Sequence, residues 1–208
     1  SSLVATLEVE GKPFTVIPMV GSTKLEGQIT EKIVFAGYGK VDDYEDLNVK
    51  DAIVIVERGS DVEGEMLYFS IKESNAAHAG AKAMIVYNNV PGIFLGELIH
   101  EFINPDYSPQ IPTVSLDREE GLEIIESIKE GNTASLHLFY NPDFVVHFSS
   151  RGPVSPFYIK PDIVAPGAYI NTTQNNAGYN FTSGTSYAAP HVSGAAALLL
   201  QKNPELHH

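Results

Sequence analysis

Apolar and polar positions alternate in short pieces at the start of the chain: Leu3, Ala5, Leu7 and Val9, then Phe14 and Val16, with Gly11-Lys12-Pro13 between them. Period-two alternation broken by a Gly/Pro turn predicts two strands and a tight connection. Residues 25–39 continue this pattern through Ile33-Val34-Phe35, whereas Lys40 to Lys50 is polar and acidic and reads as a solvated loop. The pattern then changes. Ala52-Ile53-Val54-Ile55-Val56 is a continuous apolar run, and Lys82 to Tyr87 (KAMIVY) contains another. Both predict strands covered on two faces. Between them Phe69, Lys72, Glu73, Ala76, Ala77 and Gly80 recur at helical spacing, so a helix over 69–79 is expected, with Gly80 as its C′ residue.

Pro91 to Gln110 is loop-like, and Ile111 to Ser115 predicts a short strand with Pro112 near the edge. Asp117 can cap a second helix, with Glu119 and Glu120 in its first turn, Leu122, Ile125 and Ile128 as its apolar stripe, and Gly131 as its stop. Ala134 to Tyr140 alternates again. Residues 1–140 therefore read as a β-rich α+β domain, a small open barrel or sandwich with two flanking helices. At Asn141 to Pro153 the composition shifts to Pro/Gly-rich loops framing short apolar pieces, which places a boundary there and makes 141–208 a second segment.

The chain has 208 residues, 43% of them hydrophobic, enough for an ordered core. With 26 acidic and 13 basic residues the net charge is −13, which argues against a nucleic-acid or anionic-membrane surface and is explained by solubility. The absence of cysteine removes disulfides, a thiolate nucleophile and Cys-based zinc sites. The longest apolar run, near Val192 to Leu200, is too short to cross a bilayer, and residues 1–20 lack the features of a signal peptide. No His–Asp pair has metal-site spacing once the tag-like His207-His208 pair is set aside.

Three segments resemble a protease-associated (PA) domain: Lys50 to Gly59 (KDAIVIVERG), Lys72 to Asn88 (KESNAAHAGAKAMIVYN) and Ile111 to Ser115 (IPTVS). In that family a strand ends in Arg-Gly, an Ala-Gly-Ala junction joins helix to strand, and an Ile-Pro segment follows. The resemblance covers most of residues 15–140.

The chemistry lies in Phe181 to Gly194, FTSGTSYAAPHVSG. A serine hydroxyl needs a base to take its proton and donors at the carbonyl it attacks. A helix beginning at Ser186 would present free N–H groups and its positive end there. Gly184 leaves the approach side open, Thr185 can brace the turn, and Pro190 is expected in the first helical turn. On Gly-Thr-Ser alone, the favoured reading is that Ser186 simply caps a buried Ala-rich helix. The longer string Ser183 to Gly194 resembles the subtilisin-family nucleophile motif Gly-Thr-Ser-Met-Ala-x-Pro-His-Val, with Tyr187 in place of Met. Phe148 to Pro153 and Lys160 to Gly167 are similar to segments upstream of that serine in PA-containing subtilases.

The resemblance implies that 141–208 is an incomplete part of an α/β subtilisin-like domain. It makes Ser186 the nucleophile and its backbone N–H an oxyanion donor, with Gly184 and Thr185 supporting the loop. It also implies a cis Ala165–Pro166 bond. The Asp-Thr/Ser-Gly and His-Gly-Thr-His motifs of the family are absent, as is its Gly-Asn oxyanion segment. The isolated chain is therefore expected to be inactive. The parent is expected to be a secreted bacterial endopeptidase acting on peptides or proteins. No cofactor or metal is assigned here, although calcium occurs elsewhere in such domains. A non-catalytic binding module is the alternative, with loops 40–48 and 91–110 as contact surfaces, or self-association through the PA domain or the C-terminal segment.

The remaining histidines, His78, His100, His137, His147 and His191, read as structural or exposed, with His191 a packing or hydrogen-bonding residue of its own helix. Asp162 reads as a loop-shaping residue. Asn171-Thr172-Thr173 and Asn180-Phe181-Thr182 match glycosylation sequons by chance. A third reading, an intact non-protease hydrolase with a different triad, is disfavoured by the missing nucleophile-elbow pattern.

Overall fold

The two apolar runs become the middle of one sheet. The structure is a computed structural model that describes residues 2–100, 103–141, 143–146, 148–153, 157–168, 170–175 and 177–206. The chain divides into two units, Leu3–Tyr140 and Asn141–His208, the latter grouped with the first two residues.

The first unit is α+β. Its strands are β1 (Ser2–Val9), β2 (Lys12–Phe14), β3 (Val16–Pro18), β4 (Ile29–Phe35), β5 (Ile53–Glu57), β6 (Ala83–Tyr87), β7 (Thr113–Leu116) and β8 (Thr133–Asn141). Helices α1 (Phe69–His78) and α2 (Arg118–Ser127) complete it. The sheet order is β2-β1-β8-β4-β5-β6-β7-β3. Strands β4 to β7 run parallel, while β3 on β7, β8 on β4 and β2 on β1 are antiparallel. The edge strands β2 and β3 are separated in sequence only by Thr15, so the sheet has to curl until its edges approach, giving a nearly closed barrel.

Ile53 to Val56 and Ala83 to Val86 are wholly buried, as their patterns predict. One set of side chains, Val54, Val56, Met84 and Val86, joins Met19 and Ala76 in a core against α1. Alternation sends Ile53, Ile55 and Ile85 to the opposite face.

Several expectations are corrected. The segment 40–50 is not simply a solvated loop. It contains a 3₁₀ turn at Asp42–Tyr44 and buries Tyr44 and Val49. The Asp43 carboxylate accepts from the Tyr38 and Lys40 N–H groups at 3.0 and 2.9 Å, which fixes the turn. Strand β7 is internal, and Pro112 lies just before it, where its carbonyl accepts from Met84 N–H at 2.9 Å. Helix α2 ends at Ser127 rather than at Gly131, which belongs to the next turn, where Asn132 N–H donates to the Lys129 carbonyl. Its buried face is Gly121 and Ile124, not Leu122, Ile125 and Ile128. The physical reason is Gly121. A Cβ there would lie 2.3 Å from the Tyr87 Cβ, so the missing side chain lets α2 settle directly on β6. Gly121→Ala is expected to destabilise the unit. Overpacking costs about 1–3 kcal/mol, and at so short an approach it outweighs the ~1 kcal/mol gained in helix propensity. A thermal melt with an unchanged or raised midpoint would refute this. The Asp117 cap forms as expected, its carboxylate accepting from Glu119 N–H at 2.7 Å.

Helix α1 buries a polar face. Lys72 and Glu73 are both 0% exposed. Lys72 Nζ donates to the carbonyls of Tyr38, Glu57 (2.9 Å) and Gly59 (2.8 Å). The Glu73 carboxylate accepts from the Tyr107 hydroxyl and from Gln110 and Ile111 N–H, both at 2.6 Å. Adjacent residues of one helix thus anchor loops at both ends of the core strands.

The second unit holds β9 (Ile170–Thr173) paired antiparallel with β10 (Tyr179–Thr182), then α3 (Thr185–Lys202). The Gly152–Pro153 and Lys160–Pro161 bonds are cis, and the expected cis bond at Ala165–Pro166 is trans. The apolar character of α3 predicts burial, yet none of its side chains is buried, and Leu198 is 68% exposed.

Candidate active site

Strand β10 delivers the chain to Ser183 and Gly184, and α3 begins at once. Gly184 is the N-cap, in an extended conformation, and no side chain caps the helix. Its N–H donates to the Gly167 carbonyl at 2.7 Å, and its carbonyl accepts from Tyr187 N–H at 3.1 Å. The serine turn is therefore tied to the Ala165-Pro166-Gly167 segment. A Cβ at Gly167 would come within 3.0 Å of both the Ala188 Cβ and the Gly184 carbonyl, so this contact requires small residues on both sides. Sequence reasoning singled out both segments without foreseeing that they touch. The small residues of Ala165 to Gly167 were the available signal.

Ser186 is the second residue of α3 and is exposed. Its N–H belongs to the first turn, where the helix supplies no acceptor. Thr185 and Gly184 lie beside it, bordering a cavity of about 340 Å³ whose other walls include Val146, Phe148, Ala165 and Ala188. A serine hydroxyl and a first-turn N–H for which the helix has no acceptor thus lie together at the positive end of an 18-residue helix.

Pro190 is the sixth residue of α3, beyond the first turn where it was expected. Its missing N–H is the one that would have bonded the Ser186 carbonyl, so the ladder is interrupted directly behind the serine. His191 turns back on its own helix, with Nδ1 2.7 Å from the Tyr187 carbonyl. Its expected role as a helix hydrogen-bonder is what the geometry gives. Ser193 Oγ likewise donates to the Ala189 carbonyl at 3.2 Å. Among the described residues no histidine or carboxylate hydrogen-bonds the Ser186 hydroxyl.

Asp162 pairs with Lys160, and the hydrogen bond from that ammonium holds its carboxyl below the usual carboxylate range. His78 ends α1, His100 lies in the loop after β6, and His137 is on β8 with its ring 4.6 Å from that of Phe139. His147 lies outside the described residues, as do His207 and His208. Both sequons fall on the β9–β10 hairpin, with Asn180 opposite Thr172. Among the described residues no group of histidines and carboxylates could hold a metal ion, and no helix is long and apolar enough to cross a membrane.

Comparison with known proteins gives this geometry a family. The chain is 35% identical over 185 residues to Minor extracellular protease Vpr of Bacillus subtilis (strain 168), covering 84% of this chain and 21% of that protein. It is also 35% identical over 173 residues to a PII-type proteinase of Lactococcus lactis subsp. cremoris, covering 78% of this chain and 8% of that one. It therefore spans about a fifth or less of the length of these relatives. Among solved structures, the zinc aminopeptidase BSAP of Bacillus subtilis matches with a TM-score of 0.55 and 27% identity, over 66% of this chain and 30% of that one. The sequence model of the subtilase family matches residues 27–208, through the serine turn and all of α3, and the chain belongs to that family.

Proposed function

We propose that the chain is part of a secreted subtilisin-like serine endopeptidase that hydrolyses peptide bonds through an acyl-enzyme on Ser186. One observation carries this reading: Ser186 stands exposed in the first turn of α3, where its own N–H has no acceptor within the helix, in a turn braced by Gly184 and Gly167. The histidine and aspartate of the triad come from sequence outside these 208 residues. Secretion is supported by the relative named an extracellular protease. Substrates are peptides or proteins, and calcium, if bound, is held elsewhere in the parent domain.

The unit Leu3–Tyr140 is a PA domain that governs substrate access or protein contacts. The likeness to a zinc aminopeptidase supports this reading, because a fold shared with metal-dependent chemistry is not tied to the serine reaction. The alternative, a non-catalytic module for binding or dimerisation, is favoured by the exposed leucines of α3.

The test is a fluorophosphonate, which labels an activated serine. The parent protein is expected to be labelled at Ser186 and its Ser186→Ala variant is not, while the isolated chain stays unlabelled. Efficient labelling of the isolated chain, lost in Ser186→Ala, would overturn the requirement for outside residues. An unlabelled parent would favour the binding module.

A further inference from the structure

A groove of about 370 Å³ opens in the first unit, at the carboxyl ends of the parallel strands β5 and β6. Its walls are apolar and stand in water: Met66 is 70% exposed, Leu95 51% and Ile103 50%, with Tyr68 beside them. Among the described residues, hydrogen bonds within the loop tie one wall down. Asn104 Oδ1 accepts from His100 N–H at 2.6 Å, Asn104 Nδ2 donates to the Leu98 carbonyl at 2.8 Å, and Glu73 holds the far end of the same loop.

The charged side chains in the wall are Arg58, directly after β5, and the carboxylates Glu65 and Glu97; Arg58 is the cation that an anionic ligand would meet. Its guanidinium lies 4.7 Å from the Phe94 ring centroid and donates to Asn88 Oδ1 at 3.2 Å. It makes no ion pair among the described residues, in a chain with twice as many acidic as basic side chains. Glu65 on the rim is engaged by Lys40 at 2.6 Å, so it is not the partner of Arg58. The α1 first turn at this rim carries no acidic side chain and no side-chain cap. A guanidinium positioned by stacking, with donors to spare, suits a planar carboxylate.

We propose that this groove binds the C-terminal end of a peptide, seating a bulky apolar side chain against Met66, Leu95 and Ile103 and its free α-carboxylate on Arg58. The site lies in a different unit from Ser186 and goes beyond the peptidase reading. A peptidase generates such ends with every cleavage, so the groove would sense or retain products.

The experiment uses the full chain carrying Ser186→Ala, so that no proteolysis enters. Fluorescence anisotropy compares a fluorescein-labelled hexapeptide ending in leucine as the free acid with its C-terminal amide. The acid is expected to bind saturably and about tenfold more tightly than the amide. Arg58→Gln is expected to bring the acid down to the amide, and Met66→Asp to weaken both. The exposed position of Met66 leaves the fold intact, which far-UV circular dichroism checks. Equal binding of acid and amide, or no saturation up to roughly millimolar chain, would overturn the proposal. So would groove substitutions that change only the oligomeric state in sedimentation, which would make a second copy the occupant.

Discussion

Ser186→Ala, made in a protein that carries the rest of the catalytic domain, is expected to lower kcat/KM for peptide hydrolysis by about 10⁴-fold or more. In the proposed reaction Ser186 Oγ attacks the scissile carbonyl carbon while a histidine takes its proton. The carbonyl oxygen becomes an oxyanion facing the Ser186 N–H, and collapse of that intermediate expels the amine, which receives the proton from the histidine. Alanine removes the bond-forming atom but keeps the N–H, the helix and the turn. The residual rate then reflects only oxyanion stabilisation and binding. Binding should change little, because Ser186 is exposed and alanine removes only its hydroxyl. Steady-state kinetics with a peptide substrate checks this. A loss of less than about tenfold would mean that another group is the nucleophile.

The second large effect is on stability. Lys72→Met is expected to destabilise the first unit by about 2–4 kcal/mol, seen as a lower urea midpoint. The ammonium is fully buried and gives its three protons to three carbonyls, closing the turn after β4 onto the end of β5. Methionine fills similar space but leaves three buried acceptors without donors. A change below about 0.5 kcal/mol would show that water reaches those carbonyls.

A pH signature accompanies it. Burial lowers the Lys72 ammonium from the ordinary lysine value to about 8. Between that value and the unfolded lysine value, the unfolded chain holds a proton at this position that the native chain has released. Stability linked to Lys72 therefore rises with pH from about 8 upward, and the rise is absent from Lys72→Met. Above pH ~10 the trend is opposed by tyrosines. Burial raises Tyr44, Tyr87 and Tyr107, with Glu57 and Glu73 adding to the last two, so unfolding releases their protons first. The difference between wild type and variant across pH 8–10 isolates the lysine.

The chain shows unevenly how pattern becomes structure. The runs at 53–57 and 83–87 were legible because a central strand covered on both faces admits only apolar side chains. The helix at 69–78 was legible from spacing alone, although its stripe includes Lys72 and Glu73. Spacing records which residues face the core, but not that two buried charges there find their partners in loops up to 38 residues away. The apolar stripe of α2 misled for a related reason. A glycine leaves no mark in a hydrophobicity pattern, yet the contact of Gly121 with Tyr87 decides which face turns inward.

At the serine turn the order of residues determined a great deal by itself. Gly184-Thr185-Ser186 followed by an Ala-rich helix places a hydroxyl and a free N–H at one helix end, because both follow from local backbone geometry. Tertiary structure alone decided that Gly167 holds this turn, and that Arg58 borders an apolar groove. These depend on segments distant in sequence meeting at van der Waals distance, and no periodicity along the chain encodes such a meeting.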